Sequence, residues 1–358
     1  MPKSVIPFGP QHPVLPEPLQ LKLVTEDDVV KEALPSIGYV HRGLEKLAEL
    51  KDFNQTIYVV ERVCGICSFM HSMAYARGIE DLMGIQIPER AEYLRVIWAE
   101  IARLQSHLLW LGLMADAFGF ESLFMESWKN REKILDLMEM TTGNRIIISA
   151  NKVGGVTKDI SEEHLKVILQ TVDLLENNIK EIEKVFLNNY TVKQRTVGVG
   201  VLTKHDAQEY CVVGPVAKAS GIAMDLRTTG YSAYKYLDFE PVVENDGDSY
   251  ARIVVRIKEI YQSFDLIRQA VSRLPEGELS VPVKGFPNGS VVSRVEQPRG
   301  EAIYYITGNN TKNLARLKIR TPTFANIPAL IKMLPGSTIP DVPVLVLTVD
   351  PCISCTER

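Results

Sequence analysis

From Ser68 to about residue 274 the apolar side chains recur every three to four positions, the spacing that turns one face of a helix inward. The first such stripe runs through Met70, Met73, Ala74, Tyr75 and Ile79 and stops at Gly84. Pro88 suits the first turn of a longer helix, in which Leu94, Ile97, Trp98, Ile101, Leu104, Leu108 and Leu111 form a wide apolar face. His107 lies within that stripe and reads as a buried structural histidine. A third helix covers about 121–140, built on Leu123, Phe124, Trp128, Ile134, Leu137 and Met138. Asp159-Ile160-Ser161-Glu162 resembles a capping box, after which Leu165, Ile168, Val172, Leu175, Ile179, Ile182 and Phe186 continue the period. A last long helix is predicted over about 249–274, with Pro275 ending it.

Toward both ends of the chain the helical period gives way to short strand signals. Leu19, Leu21 and Leu23 alternate with Gln20, Lys22 and Val24, predicting a half-buried strand, and Glu26-Asp27-Asp28 supplies a turn before Val29-Val30. Pro10, Pro13, Pro16 and Pro18 exclude regular structure upstream and place His12 and Glu17 on a stiff, irregular segment. Thr56-Ile57-Tyr58-Val59-Val60 reads as a strand. Glu301–Ile306 and Leu314–Ile319 flank Gly308-Asn309-Asn310 and predict a hairpin, with Gln297-Pro298-Arg299-Gly300 just before it. The apolar run Val342–Val349 is grouped with these strands and delivers Asp350-Pro351-Cys352 into the interior. The fold class expected is α+β, mainly α: a long-helix core with small β elements at the N- and C-terminal ends and a metal site between the two termini. One domain is expected over 1–358, with an N-terminal β segment at 1–45, a helical core at 68–274 and a C-terminal β segment with a cysteine motif at 279–358. Within the core, Gly214-Pro215-Val216-Ala217-Lys218-Ala219-Ser220-Gly221 uses small residues, which let backbone pack closely or leave room for a cofactor.

Composition narrows the class. Hydrophobic residues make up 46% of the 358 and charged residues 23%, as in a globular protein with a sizeable core. A net charge of −4 gives no electrostatic ground for a nucleic-acid partner. Charges interrupt every apolar stretch before it reaches the roughly 18 residues of a membrane span. The segment beginning at Met1 lacks the apolar stretch of a signal peptide, so a cytoplasmic location is expected. In that compartment paired cysteines are more often metal ligands or redox groups than disulfides.

Four of the five cysteines form two C-x-x-C pairs, Cys64/Cys67 and Cys352/Cys355. Two such pairs supply the four soft ligands that zinc, iron–sulfur clusters or nickel and iron prefer. Spacing alone leaves structural zinc, a cluster and a catalytic centre open. A structural zinc usually joins segments close in sequence, whereas here a large helical core separates the pairs. His71 follows Cys67 by four residues on the predicted helix and falls within reach of the sulfurs. Glu17, Glu45, His71, Arg299 and Asp350 are more polar groups than a closed structural site requires, and they suit one that moves protons. Glu45 and Glu49 share a helical face, which taken alone is an ordinary solvated face. The lone Cys211 reads as a small buried hydrophobe.

Arg62-Val63-Cys64-Gly65-Ile66-Cys67-x-x-x-His71, paired with Asp350-Pro351-Cys352-Ile353-Ser354-Cys355, resembles the large subunit of nickel–iron hydrogenases. Gly9-Pro10-Gln11-His12-Pro13 and His41-Arg42-Gly43-Leu44-Glu45-Lys46-Leu47 resemble the membrane-bound, energy-converting members, which are related to the quinone-site subunit of respiratory complex I. The resemblance covers nearly the whole chain. It implies Cys64 and Cys352 as terminal nickel ligands, and Cys67 and Cys355 as bridges to an iron carrying carbon monoxide and cyanide. It also implies Glu17 as a proton carrier, Arg299 held by Asp350 over the open face of the metals, and His71 bonded to a cysteine sulfur. Pro298, Pro322 and Thr323 would line the cofactor, with the Thr323 hydroxyl donating to cyanide. Glu45 matches a carboxylate that binds a nearby Mg²⁺ or Fe²⁺, but Arg358 stands where that metal's histidine ligand is found in many relatives, and arginine is no ordinary ligand. Large subunits are commonly trimmed just past the last cysteine pair, so a chain reaching only three residues beyond Cys355 is expected to be mature or to need no trimming.

The partners implied are a small subunit carrying a [4Fe–4S] cluster, further iron–sulfur and integral-membrane subunits of a complex I-like assembly, and ferredoxin. The location implied is the cytoplasmic face of the membrane, reached through those subunits. The activity implied is reversible H₂ evolution. The other reading of the same residues is a quinone-binding or scaffold subunit, metal-free or with structural zinc.

Overall fold

The computed structural model describes residues 3–358. Strands β1 (Ser4–Phe8), β2 (Gln20–Glu26) and β3 (Val29–Ser36) form an antiparallel meander in that order. Leu19, Leu21 and Leu23 face inward as their alternation predicts, and the proline-rich stretch crosses between β1 and β2 without regular structure. Helices α1 (Leu44–Glu49) and α2 (Phe53–Glu61) follow.

The α2 segment corrects the strand expected at 56–60. Its β-branched residues suggest a strand, but Phe53, Ile57 and Val60 lie at helical spacing and are buried, and the Asp52 carboxylate accepts from the Asn54 N–H at 2.8 Å as an N-cap. The cap and the three-residue stripe outweigh the weak intrinsic preference of Val, Ile and Thr against helix.

The body is built on α3 (Ser68–Met83), α4 (Glu89–Ala117), α5 (Glu121–Thr142), α6 (Glu162–Asn188) and, after the shorter helices, α10 (Ser249–Ser272). A two-strand ribbon, β4 (Asn151–Lys152) with β5 (Gly155–Val156), joins α5 to α6. Ser161 caps α6 by accepting from the His164 N–H. The short helices α7 (Tyr190–Thr196), α8 (Lys204–Glu209) and α9 (Pro215–Ala219) lead into α10. Nearly all of α4 is inaccessible to solvent, including Arg95, Glu100, Arg103 and His107, so this helix forms the centre of the molecule. Its ions are paired. His107 Nε2 lies 2.9 Å from Glu259, Lys218 Nζ lies 2.5 Å from Glu259 and 2.7 Å from Asp225, and Arg227 reaches Glu100 at 3.2 Å. Burial holds His107 below its usual pKa, in keeping with a structural histidine.

The second sheet is β6 (Asn288–Gln297), β7 (Gly300–Asn309) and β8 (Leu314–Arg320), antiparallel in that order. The hairpin β7–β8 is the one expected, whereas β6 was not foreseen: its inward face mixes Ser293 and Gln297 with Val295, so it carries little apolar signal. Helix α11 (Pro322–Met333) follows. The run expected as a strand is helix α12 (Val342–Val349), and α13 (Ile353–Glu357) comes after it. Seven of the eight α12 residues are buried, so the run carries neither a two- nor a four-residue period that could tell strand from helix. Trp110 Nε1 donates to Leu347 O at 2.6 Å and ties α12 to α4. Cys211 is exposed at φ +51°, not buried as expected.

Candidate metal centre

Each cysteine pair opens a helix. Cys64 lies in the turn after α2 and Cys67 is the N-cap of α3; Cys352 is the N-cap of α13 and Cys355 lies within it. The two loops are stapled together by Arg42, which donates to Arg62 O and Val63 O, each at 2.7 Å, and to Ser354 O at 3.2 Å. Sequence reasoning missed Arg42, although it stands in a motif singled out for other residues.

Cysteines 288 residues apart in the chain therefore meet sulfur to sulfur. Cys67 Sγ lies 3.3 Å from Cys355 Sγ, and Cys352 Sγ lies 3.3 Å from Cys64 Sγ. All four are buried and none forms a disulfide. The Ile66 N–H points at Cys64 Sγ at 3.3 Å. The Cys64 thiol is pulled well below its usual range, first by the Cys352 thiol, then by Cys355 and Cys67, with Arg299 adding positive charge. Cys67 and Cys352 are pushed up: their bonds to Cys355 act downward, but the charge on Cys64 and burial outweigh them. Burial, followed by the neighbouring sulfurs, pushes Cys355 up. Four converging sulfurs that cannot all ionise without a cation among them have the donor chemistry to hold a soft metal.

Around the sulfurs, His71 Nε2 stands 3.4 Å from Cys355 Sγ, and its Nδ1 lies 2.6 Å from the Tyr304 hydroxyl. Burial lowers the His71 pKa to about 4, so the ring is neutral. Tyr304 is held well above its ordinary pKa by burial and remains a donor. A neutral ring carries a single N–H, so when Nδ1 accepts from the Tyr304 hydroxyl it is Nε2–H that points at the sulfur. Tyr304 was also missed: on β7 it reads only as one of the inward positions of a strand.

Arg299 sits in the two-residue turn between β6 and β7, beside the buried Pro298. Its Nη2 donates to Asp350 Oδ1 at 2.8 Å, its Nε to Asp350 O at 3.0 Å and its Nη1 to Ser106 Oγ at 3.3 Å. Asp350 pays for this with a left-handed backbone, φ 60° and ψ 60°, which costs an L-residue about 1–2 kcal/mol. The small-residue segment at 214–221 packs closely against this turn: a Cβ on Gly214 would lie 2.3 Å from Arg299 O, and one on Gly300 2.6 Å from Gly214 N.

A cavity of about 340 Å³ opens beside the sulfurs, lined by Glu17, Cys64, Arg299, Asp350 and Cys352, with Leu109, Leu113 and Leu347 among its apolar walls. Cys67 and Cys355 do not line it. Glu17 is bound to the second cysteine loop, accepting from the Ile353 N–H, from the Ser354 N–H at 3.0 Å and from the Ser354 hydroxyl. Pro322 and Thr323 open α11, and Thr323 Oγ1 accepts from the Cys352 N–H at 3.1 Å.

Glu45 lies apart from this cluster. Its Oε1 accepts from the Ile319 N–H at 2.9 Å and from Arg358 Nε at 3.0 Å, and its Oε2 from Lys318 Nζ at 3.1 Å. These partners outweigh burial and hold its pKa below the carboxylate range. Among the described residues it joins no group of three His, Cys, Asp or Glu ligand atoms. Residues so arranged do not fit the second, hard metal.

Family models match most of the chain. A nickel-dependent hydrogenase model matches residues 42–115, and the model of the 49 kDa subunit of respiratory-chain NADH dehydrogenase matches 117–286 and 282–358. The carbon monoxide-induced hydrogenase of Rhodospirillum rubrum is 40% identical over 356 residues, covering 99% of each chain. The chain belongs to this hydrogenase and 49 kDa-subunit family. The membrane-bound hydrogenase subunit alpha of Pyrococcus furiosus is another member, 36% identical over 99% of this chain and 87% of its own. The family's fold is shared with a chain in the structure of the membrane-bound sulfane sulfur reductase, an archaeal respiratory membrane complex, with a TM-score of 0.95 and 29% identity over 99% of this chain and 98% of that one. This family comprises oxidoreductase subunits of membrane complexes. Among the described residues of this member, no helix is long and apolar enough to cross a membrane.

Proposed function

We propose that the chain is the catalytic large subunit of an energy-converting nickel–iron hydrogenase that interconverts H₂ with protons and electrons. The observation that carries this reading is the meeting of all four paired cysteines beside a cavity lined by Arg299. A nickel–iron centre with carbon monoxide and cyanide on its iron, held by these four thiolates, supplies the redox chemistry when bound. In this reading Cys64 and Cys352, which line the cavity, and Cys67 and Cys355 behind them would together hold the centre through their thiolates.

The remaining residues set charge and proton transfer. Arg299 places a fixed cation at the cavity wall, and Asp350 orients it by a charge-assisted pair. Glu17 is the general base. It borders the cavity, and the Ser354 hydroxyl can rotate away to free one carboxylate oxygen for a proton. The neutral His71 donates to the Cys355 sulfur and moderates its charge. Pro298, Pro322 and Thr323 would line the iron's diatomic ligands, and Thr323, whose oxygen accepts from the Cys352 N–H, keeps its O–H free to donate to them.

Electrons leave through a partner, since Cys211 alone cannot hold a cluster. That partner is a small subunit with a [4Fe–4S] cluster linked to ferredoxin. Further iron–sulfur and integral-membrane subunits hold the chain at the cytoplasmic face of the membrane.

The match to the 49 kDa subunit over residues 117–358 favours a second reading, a quinone-binding or scaffold subunit with zinc or no metal. Nickel, iron and zinc measured per chain in the purified complex decide between them. The hydrogenase requires nickel stoichiometric with the chain and its loss in Cys355→Ser. Zinc without nickel, or redox turnover unchanged in Cys355→Ser, overturns it.

A further inference from the structure

We infer that the Arg358 guanidinium is the resident cation at Glu45, so that this chain builds with an internal ion pair what a bound divalent cation would otherwise supply behind Cys355. The inference concerns a different site from the four sulfurs and does not depend on what they hold.

The position is built for a cation. Glu45, on α1, has 15% of its side chain exposed and points between β8 and the segment following Cys355. Arg358 has 10% of its side chain exposed and enters this space with Nε on Glu45, Nη1 on Thr356 O at 2.7 Å, and its guanidinium 5.4 Å from the centre of the Phe324 ring. One planar cation thus joins α1, α11 and α13. A hard divalent ion makes the same kind of cross-link by gathering oxygen ligands from several elements.

The position borders a cavity of about 490 Å³, but its charge disfavours a second cation. Lys318 Nζ stands 3.1 Å and Arg316 Nη2 3.9 Å from Glu45 Oε2, so an added divalent ion would face three positive side chains across one carboxylate. Both Glu45 oxygens already have donors, and a divalent ion binds best where several oxygens are free. Arg358 is held from the other side as well: the neighbouring Glu357 carboxylate accepts from the backbone N–H groups of Gly38 and Val40, and its carbonyl meets His41 Nδ1. The segment that carries the guanidinium is therefore fixed before any ion is needed.

The test compares the native purified complex with Glu45→Gln. Magnesium, manganese, calcium and non-cluster iron are counted per chain, and melting is followed with added MgCl₂ and after EDTA. Equal cation content and an equal response to MgCl₂ and EDTA in the two proteins are expected, although Glu45→Gln melts lower because Arg358 and Lys318 lose their counter-charge. Loss of one cation per chain in Glu45→Gln, or a MgCl₂ or EDTA response that the substitution abolishes, overturns the inference. Where Glu45→Gln does not assemble, Glu45→Asp serves the same comparison. It keeps the carboxylate charge but draws it back from Arg358, and loss of one cation per chain in that variant has the same meaning.

Discussion

The Tyr304 hydroxyl and His71 Nδ1 are 2.6 Å apart in a fully buried space, so this bond is coupled to the protonation of Nε2, the ring nitrogen that faces Cys355. When Nδ1 accepts from the hydroxyl, the proton of the neutral ring resides on Nε2, 3.4 Å from the sulfur. A residue on β7 is thereby coupled to the polarity of a contact made by a residue on α3.

Tyr304→Phe tests that relationship. It leaves the ring volume intact but strips His71 Nδ1 of its partner, an orphaned buried group that costs roughly 1–3 kcal/mol. The tautomer is then free to reverse and turn an acceptor toward Cys355. The expected outcome is a lower melting temperature and lower H₂-linked turnover with nickel content unchanged. Native turnover and an unaltered pH profile in Tyr304→Phe would show that the bond has no part in the site.

How much of this could be read beforehand depended on where each signal lay. Helix α6 carries a long one-sided apolar stripe and periodicity alone places it, while α4 shows the same period although it is buried nearly all round. At α12 nearly every residue is buried, and at α2 the β-branched residues obscure a three-residue stripe, so in both places the interior overrides the local pattern. The cysteines were legible because their spacing is itself chemistry. Arg42 and Tyr304 were not, because each acts only after folding has brought another segment within reach. Glu45 shows the converse: the motif suggests a metal ligand, and only the placement of Arg358 and Lys318 shows what the carboxylate holds.

Arg299→Lys keeps the charge but not the fork. Lysine cannot reach Asp350 Oδ1, Asp350 O and Ser106 together, and each hydrogen bond to a charged group is worth roughly 1.5–3 kcal/mol. Losing one such bond predicts a fall in turnover of at least about tenfold, by the usual 1.4 kcal/mol per decade, with metal content retained. Turnover within twofold of native would mean that charge alone suffices at this wall.

Glu296 makes stability depend on pH in the opposite sense to an ordinary ion-paired carboxylate. Burial and then the Asp225 charge raise its pKa to about 7, against the opposing pull of Lys218, Arg103 and the Leu226 N–H. Lys218 Nζ is 3.6 Å away, too far for a good hydrogen bond. The folded state therefore binds this proton more tightly than the unfolded chain, whose carboxyl titrates near 4.5. The contribution is fully present below about pH 4.5 and is lost as pH rises through about 7. Glu296→Gln removes the titration, so the melting temperature of the variant relative to native should rise between pH 5.5 and pH 8.5. A constant difference across that range would place the titration elsewhere in the network.

Gly300→Ala tests whether the turn that carries Arg299 tolerates any displacement. Gly84 provides the scale: it has φ +65° with open space around its missing Cβ, so Gly84→Ala incurs backbone strain alone, about 1–2 kcal/mol. Gly300 has φ +124°, and a Cβ there would lie 2.6 Å from Gly214 N and 2.8 Å from Gly214 Cα, both backbone atoms that no side-chain rotation can clear. Either the β6–β7 turn or the start of α9 must move, and the turn takes Arg299 with it. The prediction is that Gly300→Ala lowers the melting temperature more than Gly84→Ala does, and that only Gly300→Ala also lowers turnover per nickel. If both variants lost the same stability and Gly300→Ala kept full turnover per nickel, the Arg299 turn would be free to shift without consequence, and the close packing of Gly214 on Gly300 would matter for folding alone.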